Sequence, residues 1–133
     1  MTSYKGYNAN IEAATVNNNS FRNVVYTGRY SQLVLMSLKP GEDIGAERHG
    51  VDQFFRIEKG EGEVQVDDQK YSVIDGDCVI APAGALHNVT NTGAEDLKLY
   101  TIYSIPNHVA GEDFATKEEA EASDKPFDGL TTE

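Results

Sequence analysis

The chain reads as all-β, a barrel or sandwich of short strands, on three observations. Apolar runs of three to seven residues recur along its middle, each run is closed by Gly, Pro, Asp or Asn, and the one clear helical signal comes only near the C-terminus. In Gln32-Leu33-Val34-Leu35-Met36-Ser37-Leu38 the run is too short for a stable helix and stops at Lys39-Pro40-Gly41, as a strand entering a turn does. Further runs follow at residues 53–57, 62–66, 70–74, 78–80, 87–90 and 97–103. Asp67-Asp68-Gln69 separates two alternating runs as a hairpin turn, and Gly60 and Gly62 relieve a tight bend before it. Many short strands with turn residues between them suit a closed or two-layered sheet.

The flanks differ from the middle. A further strand is expected over residues 8–16. At the other end Thr116-Lys117-Glu118-Glu119 has the form of a capping box leading into Ala120-Glu121-Ala122, with Lys125-Pro126 as its stop. Residues 111–133 hold eight acids against two bases, so this short helix is expected at the surface, in a solvated tail whose removal the barrel tolerates. The expected organisation is an N-terminal arm or strand over residues 1–20, a barrel over 21–106 and an acidic extension over 107–133. At 133 residues there is room for one domain and one site.

Composition excludes several function classes. A net charge of −11 repels phosphate backbones and anionic membrane surfaces, so neither nucleic acid nor a membrane is an expected partner. No apolar run approaches the roughly 20 residues that span a bilayer. The N-terminal residues lack a charged stretch followed by an apolar one, so export is not expected. Cys78, the single cysteine, lies in Asp77-Cys78-Val79-Ile80-Ala81, where it is expected to pack as a small reduced hydrophobe in a cytoplasmic protein.

Chemistry gathers around two of the three histidines. In Glu47-Arg48-His49-Gly50-Val51-Asp52-Gln53 the carboxylate, the imidazole and the amide share odd parity, so on a continuous strand they project from one face. His87 follows the turn Pro82-Ala83-Gly84-Ala85-Leu86 and would arrive from another strand. Phe55 and Ile57 share the ligand parity and face inward as barrel wall, whereas Arg56 faces out toward an acidic neighbour. Arg48 points away from the proposed site. Tyr100 and Tyr103 lie on opposite faces of one strand, so at most one of them joins Phe55 and Ile57 as a pocket candidate. His108, after a proline turn and outside the cluster, is read as a surface histidine.

Gly41, Glu47-Arg48-His49, Gln53 and Gly60, followed by Gly76, Pro82, Gly84, His87 and Asn91, fall in the register of the two cupin motifs. Residues 21–103 therefore resemble a small single-domain cupin of the mannose-6-phosphate-isomerase-like kind. The resemblance implies a double-stranded β-helix, or jelly-roll barrel, with a short C-terminal helical extension. It further implies one divalent transition metal (Mn, Fe, Ni, Co or Zn) held by Glu47, His49, Gln53 and His87, and a homodimer formed through edge strands. This chain departs from the common pattern at two positions: Glu47 stands where most cupins have the first histidine, and Gln53 where most have the glutamate. Three functions follow from such a site: a metalloenzyme of the isomerase, epimerase or oxygenase type acting on a small polar or sugar-like substrate, a non-catalytic binder of a sugar or small organic acid, or a barrel with a structural metal.

Overall fold

A computed structural model describes residues 3–132. The chain opens on a helix, α1 (Ile11–Asn17), and then forms β1 (Arg22–Thr27), β2 (Gln32–Leu38), β3 (Glu47–Arg48), β4 (Asp52–Lys59), β5 (Gly62–Val66) and β6 (Gln69–Val73). After these come β7 (Cys78–Ala81), β8 (Leu86–Asn91), β9 (Leu97–Ser104), β10 (Asp113–Phe114) and a last helix, α2 (Lys117–Ala122). The strands form two antiparallel sheets, six strands in the order β10-β1-β2-β9-β4-β7 and four in the order β3-β8-β5-β6. Their inner faces enclose one core containing Val34, Met36, Leu38, Phe55, Ile57, Val64, Val89, Leu97 and Leu99. Two antiparallel sheets closing on a shared apolar interior make the expected jelly roll.

The expected turn chemistry is visible at the β5–β6 hairpin, where Asp67 adopts φ 48° between the paired strands. Gly62 is required for a different reason. A Cβ there would meet Leu97 Cδ2 at 2.8 Å and the Thr90 carbonyl oxygen at 2.9 Å, so β5 can approach its neighbours this closely only without a side chain.

Two terminal expectations are corrected. The strand expected over residues 8–16 is α1: the Asn10 side chain accepts a hydrogen bond from Ala13 N at 2.9 Å, and Ile-Glu-Ala-Ala continues from that cap as a helix. Lys98, buried on β9, docks the end of α1 by donating to the Asn18 carbonyl at 2.6 Å, to Asn19 Oδ1 at 3.1 Å and to Ser37 Oγ at 2.9 Å. The acidic extension is exposed over most of its length, as expected, but it is anchored to the barrel. β10 pairs with β1, Ala120 is 1% exposed within the core cluster, and Lys117 Nζ reaches Asp43 Oδ1 at 2.6 Å. The capping box does form, with Thr116 accepting from Glu119 N, but the helix it starts is pinned to the barrel by a small buried residue instead of a broad apolar stripe.

Cys78 is also corrected. It lies exposed on β7, an edge strand, and does not pack as a hydrophobe. Among the described residues no helix is long and apolar enough to cross a membrane.

Candidate metal centre and cavity

The short strand β3 pairs with β8 so that Glu47 stands directly opposite His87. His49 follows on the same face as Glu47 and turns back onto it, with Nε2 2.7 Å from Glu47 Oε2. The His49 and His87 rings lie 5.1 Å apart, centroid to centroid. Gln53, on β4, is 2% exposed and donates through Nε2 to Thr101 Oγ1 at 3.0 Å. The four residues singled out in the sequence thus come from β3, the turn after it, β4 and β8.

Their electrostatics are those of a half-buried charged cluster. Burial pushes the Glu47 carboxyl up, but the hydrogen bond from His49 and the neighbouring His49, His108 and His87 together hold it below the usual carboxylate range. His87 is pulled down from the ordinary imidazole value, first by burial, so its ring is neutral near pH 7. Its Nδ1 faces the Ala85 carbonyl at 3.2 Å, which places the proton there and leaves the Nε2 lone pair free.

Among the described residues no three His, Cys, Asp or Glu side chains are grouped as metal ligands. Glu47 and His49 instead spend their polar atoms on each other. The donor chemistry nevertheless fits a divalent ion: two imidazoles, one carboxylate and an amide oxygen, with no thiolate. Gln53 Oε1 fits it most directly, being a buried oxygen with no hydrogen-bond partner.

The remaining inward-facing candidates separate clearly. Phe55 is 1% exposed with its ring 5.8 Å from that of His87, and Ile57 lies deeper in the core. Tyr100 faces the other side of β9 and packs against Phe54, while Tyr103 points inward with its ring 5.8 Å from that of His49. Arg56 pairs with Glu58 at 2.9 Å, and exposed Arg48 donates to the Gly84 carbonyl.

His108 requires correction, because it is a buried residue and not a surface one. Buried Gln32 fixes its backbone, accepting from His108 N at 2.9 Å and donating to His108 O at 2.7 Å. The ring stands edge-on to Tyr103, with Nε2 3.0 Å from the Tyr103 hydroxyl. That contact joins the two buried side chains, and the opposite ring nitrogen, Nδ1, has no partner. Burial, with Arg22 nearby, pushes the His108 imidazole down to about 3, so the ring is neutral at physiological pH.

Glu47, His49 and His108 open onto a cavity of about 650 Å³ that Arg22, Lys125 and Phe127 also line. Behind it a smaller space of about 280 Å³ is bounded by Arg22, Met36, Ile44, Glu47, Tyr103 and His108. Arg22 and the C-terminal wall were missed in the sequence. Arg22 had no motif to mark it, and the wall comes from a segment whose composition suggested solvation.

A cupin domain model matches residues 34–103, which span β2 to β9 and every proposed ligand. The chain is 46% identical over 127 residues to the uncharacterized protein YrkC of Bacillus subtilis, covering 90% of this chain and 68% of that one. The crystal structure of BH2720 from Bacillus halodurans superposes with a TM-score of 0.87 at 42% identity, covering 90% of this chain and 96% of that one. A shorter match, 31% identical over 68 residues, joins 51% of this chain to 33% of a 5-nitrosalicylic acid 1,2-dioxygenase from a Bradyrhizobium species. With both motifs in register and more than half of its length matched, the chain belongs to the cupin family.

Proposed function

We propose that the protein is a metal-dependent enzyme of the oxygenase type, with Glu47, His49, His87 and Gln53 holding one divalent ion at the inner end of the cavity. The observation that carries this reading is Gln53 Oε1, a buried and unpartnered oxygen on β4, directly across from Tyr103, whose ring lies 5.8 Å from that of His49. A buried acceptor without a partner costs about 1–3 kcal/mol, which a cation would offset. When bound, the ion would supply Lewis acidity and one-electron chemistry. The chain's part is to release Glu47 from His49 toward the ion, to present the free Nε2 of His87, and to keep the interior dry with Phe55 and Ile57.

Two observations favour the oxygenase branch over isomerisation. Removal of a substrate proton needs a base not tied to the metal, and His108, buried with Nε2 against the Tyr103 hydroxyl and its imidazole pushed down to about 3, does not suit that task. The second is the sequence likeness to a dioxygenase over 68 residues.

Metal uptake tests the reading. Tag-free protein stripped with chelator and incubated separately with Fe²⁺, Mn²⁺, Co²⁺, Ni²⁺ and Zn²⁺ should take up about one ion per chain, as measured by elemental analysis. His87→Ala and His49→Ala should lose most of that uptake while the barrel stays folded. A folded wild-type chain that retains none of the five metals overturns the proposal, and oxygen consumption by the loaded protein with small aromatic acids then tests the reaction type.

A further inference from the structure

We infer that the cavity outside the metal centre recognises the carboxylate of a small, largely apolar acid, with Arg22 as the clamp. The inference deepens the proposed function by naming a substrate class, although binding of the acid requires only the cavity.

The argument begins at Arg22, whose side chain is 11% exposed at the start of β1. A guanidinium this far from water needs acceptors for its five N–H groups. Its Nε and Nη2 have none. Phe114 on β10 supports the group from one side, 5.3 Å from the ring centroid, and contributes no acceptor of comparable strength. Glu112 is the nearest acid, but its Oε1 stands 3.8 Å from Nη2, beyond hydrogen-bond distance, and it too lacks a partner. An Arg–Glu pair serving only to fasten β10 to β1 would close that gap. Even a full bond from Nη2 to Glu112 would leave Nε unpaired.

His108 repeats the pattern a short way along the same cavity wall. With Nε2 against the Tyr103 hydroxyl, Nδ1 is buried without a partner. Gln32 fixes the His108 backbone through two hydrogen bonds, so the imidazole is held in place on its wall of the cavity. Arg22 and His108 both line the outer and the inner space. The shared wall therefore carries the unmet donors of Arg22, and a planar two-oxygen anion is the ligand that meets a guanidinium fork.

The other lining residues decide the rest of the ligand. Glu47, Glu121 and Asp124 bound the inner space against the single guanidinium of Arg22, so a dianion such as phosphate meets more repulsion there than a monocarboxylate does. Phe21, Met36, Ile44 and Ala120 also line the inner space, which suits an apolar body attached to the carboxylate.

Calorimetric titration of the full chain with benzoate, benzamide and inorganic phosphate tests this, in chelator-stripped and in metal-loaded samples. Benzoate should bind at least about tenfold more tightly than benzamide or phosphate, and Arg22→Gln should weaken benzoate by about tenfold or more. Glu112→Gln, which removes the acid competing for Arg22, should tighten it. The inference is overturned if benzamide matches benzoate, if phosphate binds more tightly, or if folded Arg22→Gln keeps the wild-type affinity. Should Arg22→Gln not fold, Glu112→Gln decides: no gain for benzoate overturns the clamp. A chain that takes up no metal but binds benzoate through Arg22 overturns the metal reading alone, and a chain that takes up metal but ignores Arg22 overturns this inference alone.

Discussion

At the scale of single residues, Gln53 carries the sharpest consequence. Its amide donates to Thr101 and leaves Oε1 without a partner in the interior. In Gln53→Glu the Thr101 hydroxyl can rotate to donate, so one hydrogen bond survives, but a carboxyl now sits where exposure is 2%. Without metal, that burial should cost roughly 2–4 kcal/mol at neutral pH, read as a lower melting temperature of stripped protein. With Mn²⁺ the added charge should tighten binding and restore the loss, while weakening Lewis acidity and slowing any reaction that depends on it. A Gln53→Glu chain that is destabilised and shows no gain in Mn²⁺ affinity makes Gln53 a wall residue and reduces the ligand set to Glu47, His49 and His87. Parity on one continuous strand pointed to Glu47, His49 and Gln53, and motif register to His87, but the structure breaks that strand between β3 and β4, which lie in different sheets. The same local logic could not find Arg22 or His108. Both are recruited by contacts 76 to 90 residues away in sequence, from Gln32 to His108 and from Arg22 to Glu112, which no spacing rule encodes.

Elements were legible in proportion to the length of their pattern. β2 and β5 have the bounds that their apolar runs suggested, and β4, β8 and β9 extend those runs by a residue or more at one or both ends. β3 and β10 have two residues each, too few to show a period, and exist because β8 and β1 offer them edges. α1 was hidden differently, since its seven residues make only about two turns and the Asn10 cap is its one clear helical signal. α2 offers an element-scale test through its tie to the loop before β3. Hydrogen bonds from Asn88 and then Lys117 hold the Asp43 carboxyl below its ordinary 3.8. A carboxyl depressed in the folded state adds stability above the unfolded value, and that stability is lost as pH falls through the folded one. Asp43→Asn should therefore lower the melting temperature modestly at pH 7, and the difference from wild type should shrink as pH is taken below about 4. A difference that stays constant from pH 7 to pH 3 would show that Asp43 acts through shape and not through charge.

For the whole molecule, the question is whether the acidic extension belongs to the barrel. Its charge suggested a solvated tail, because eight acids with little apolar content cannot form a core of their own. They need not do so when the barrel supplies the other half of each contact. β10 completes the six-stranded sheet, Ala120 fills a site in the shared core, and Thr132 exchanges hydrogen bonds of 2.8 Å with Thr27 through both its N–H and its hydroxyl. The same segment carries Glu112 and Phe114 against Arg22 and closes the cavity with Asp124, Lys125 and Phe127. Ending the chain after Gly111 should thus do two things at once. Exposing the edge of β1 and the Ala120 site should cost about 3 kcal/mol or more, a fall of about 10 °C or more in melting temperature for a domain of this size. It should also open the outer cavity and remove the acid beside Arg22, so that an apolar carboxylate loses its walls even though the clamp remains. A truncated chain that melts within about 2 °C of the full one and binds benzoate equally well would show that the extension merely rests on the surface. Loss of both properties together would show that the extension is the last wall of the barrel and of its cavity.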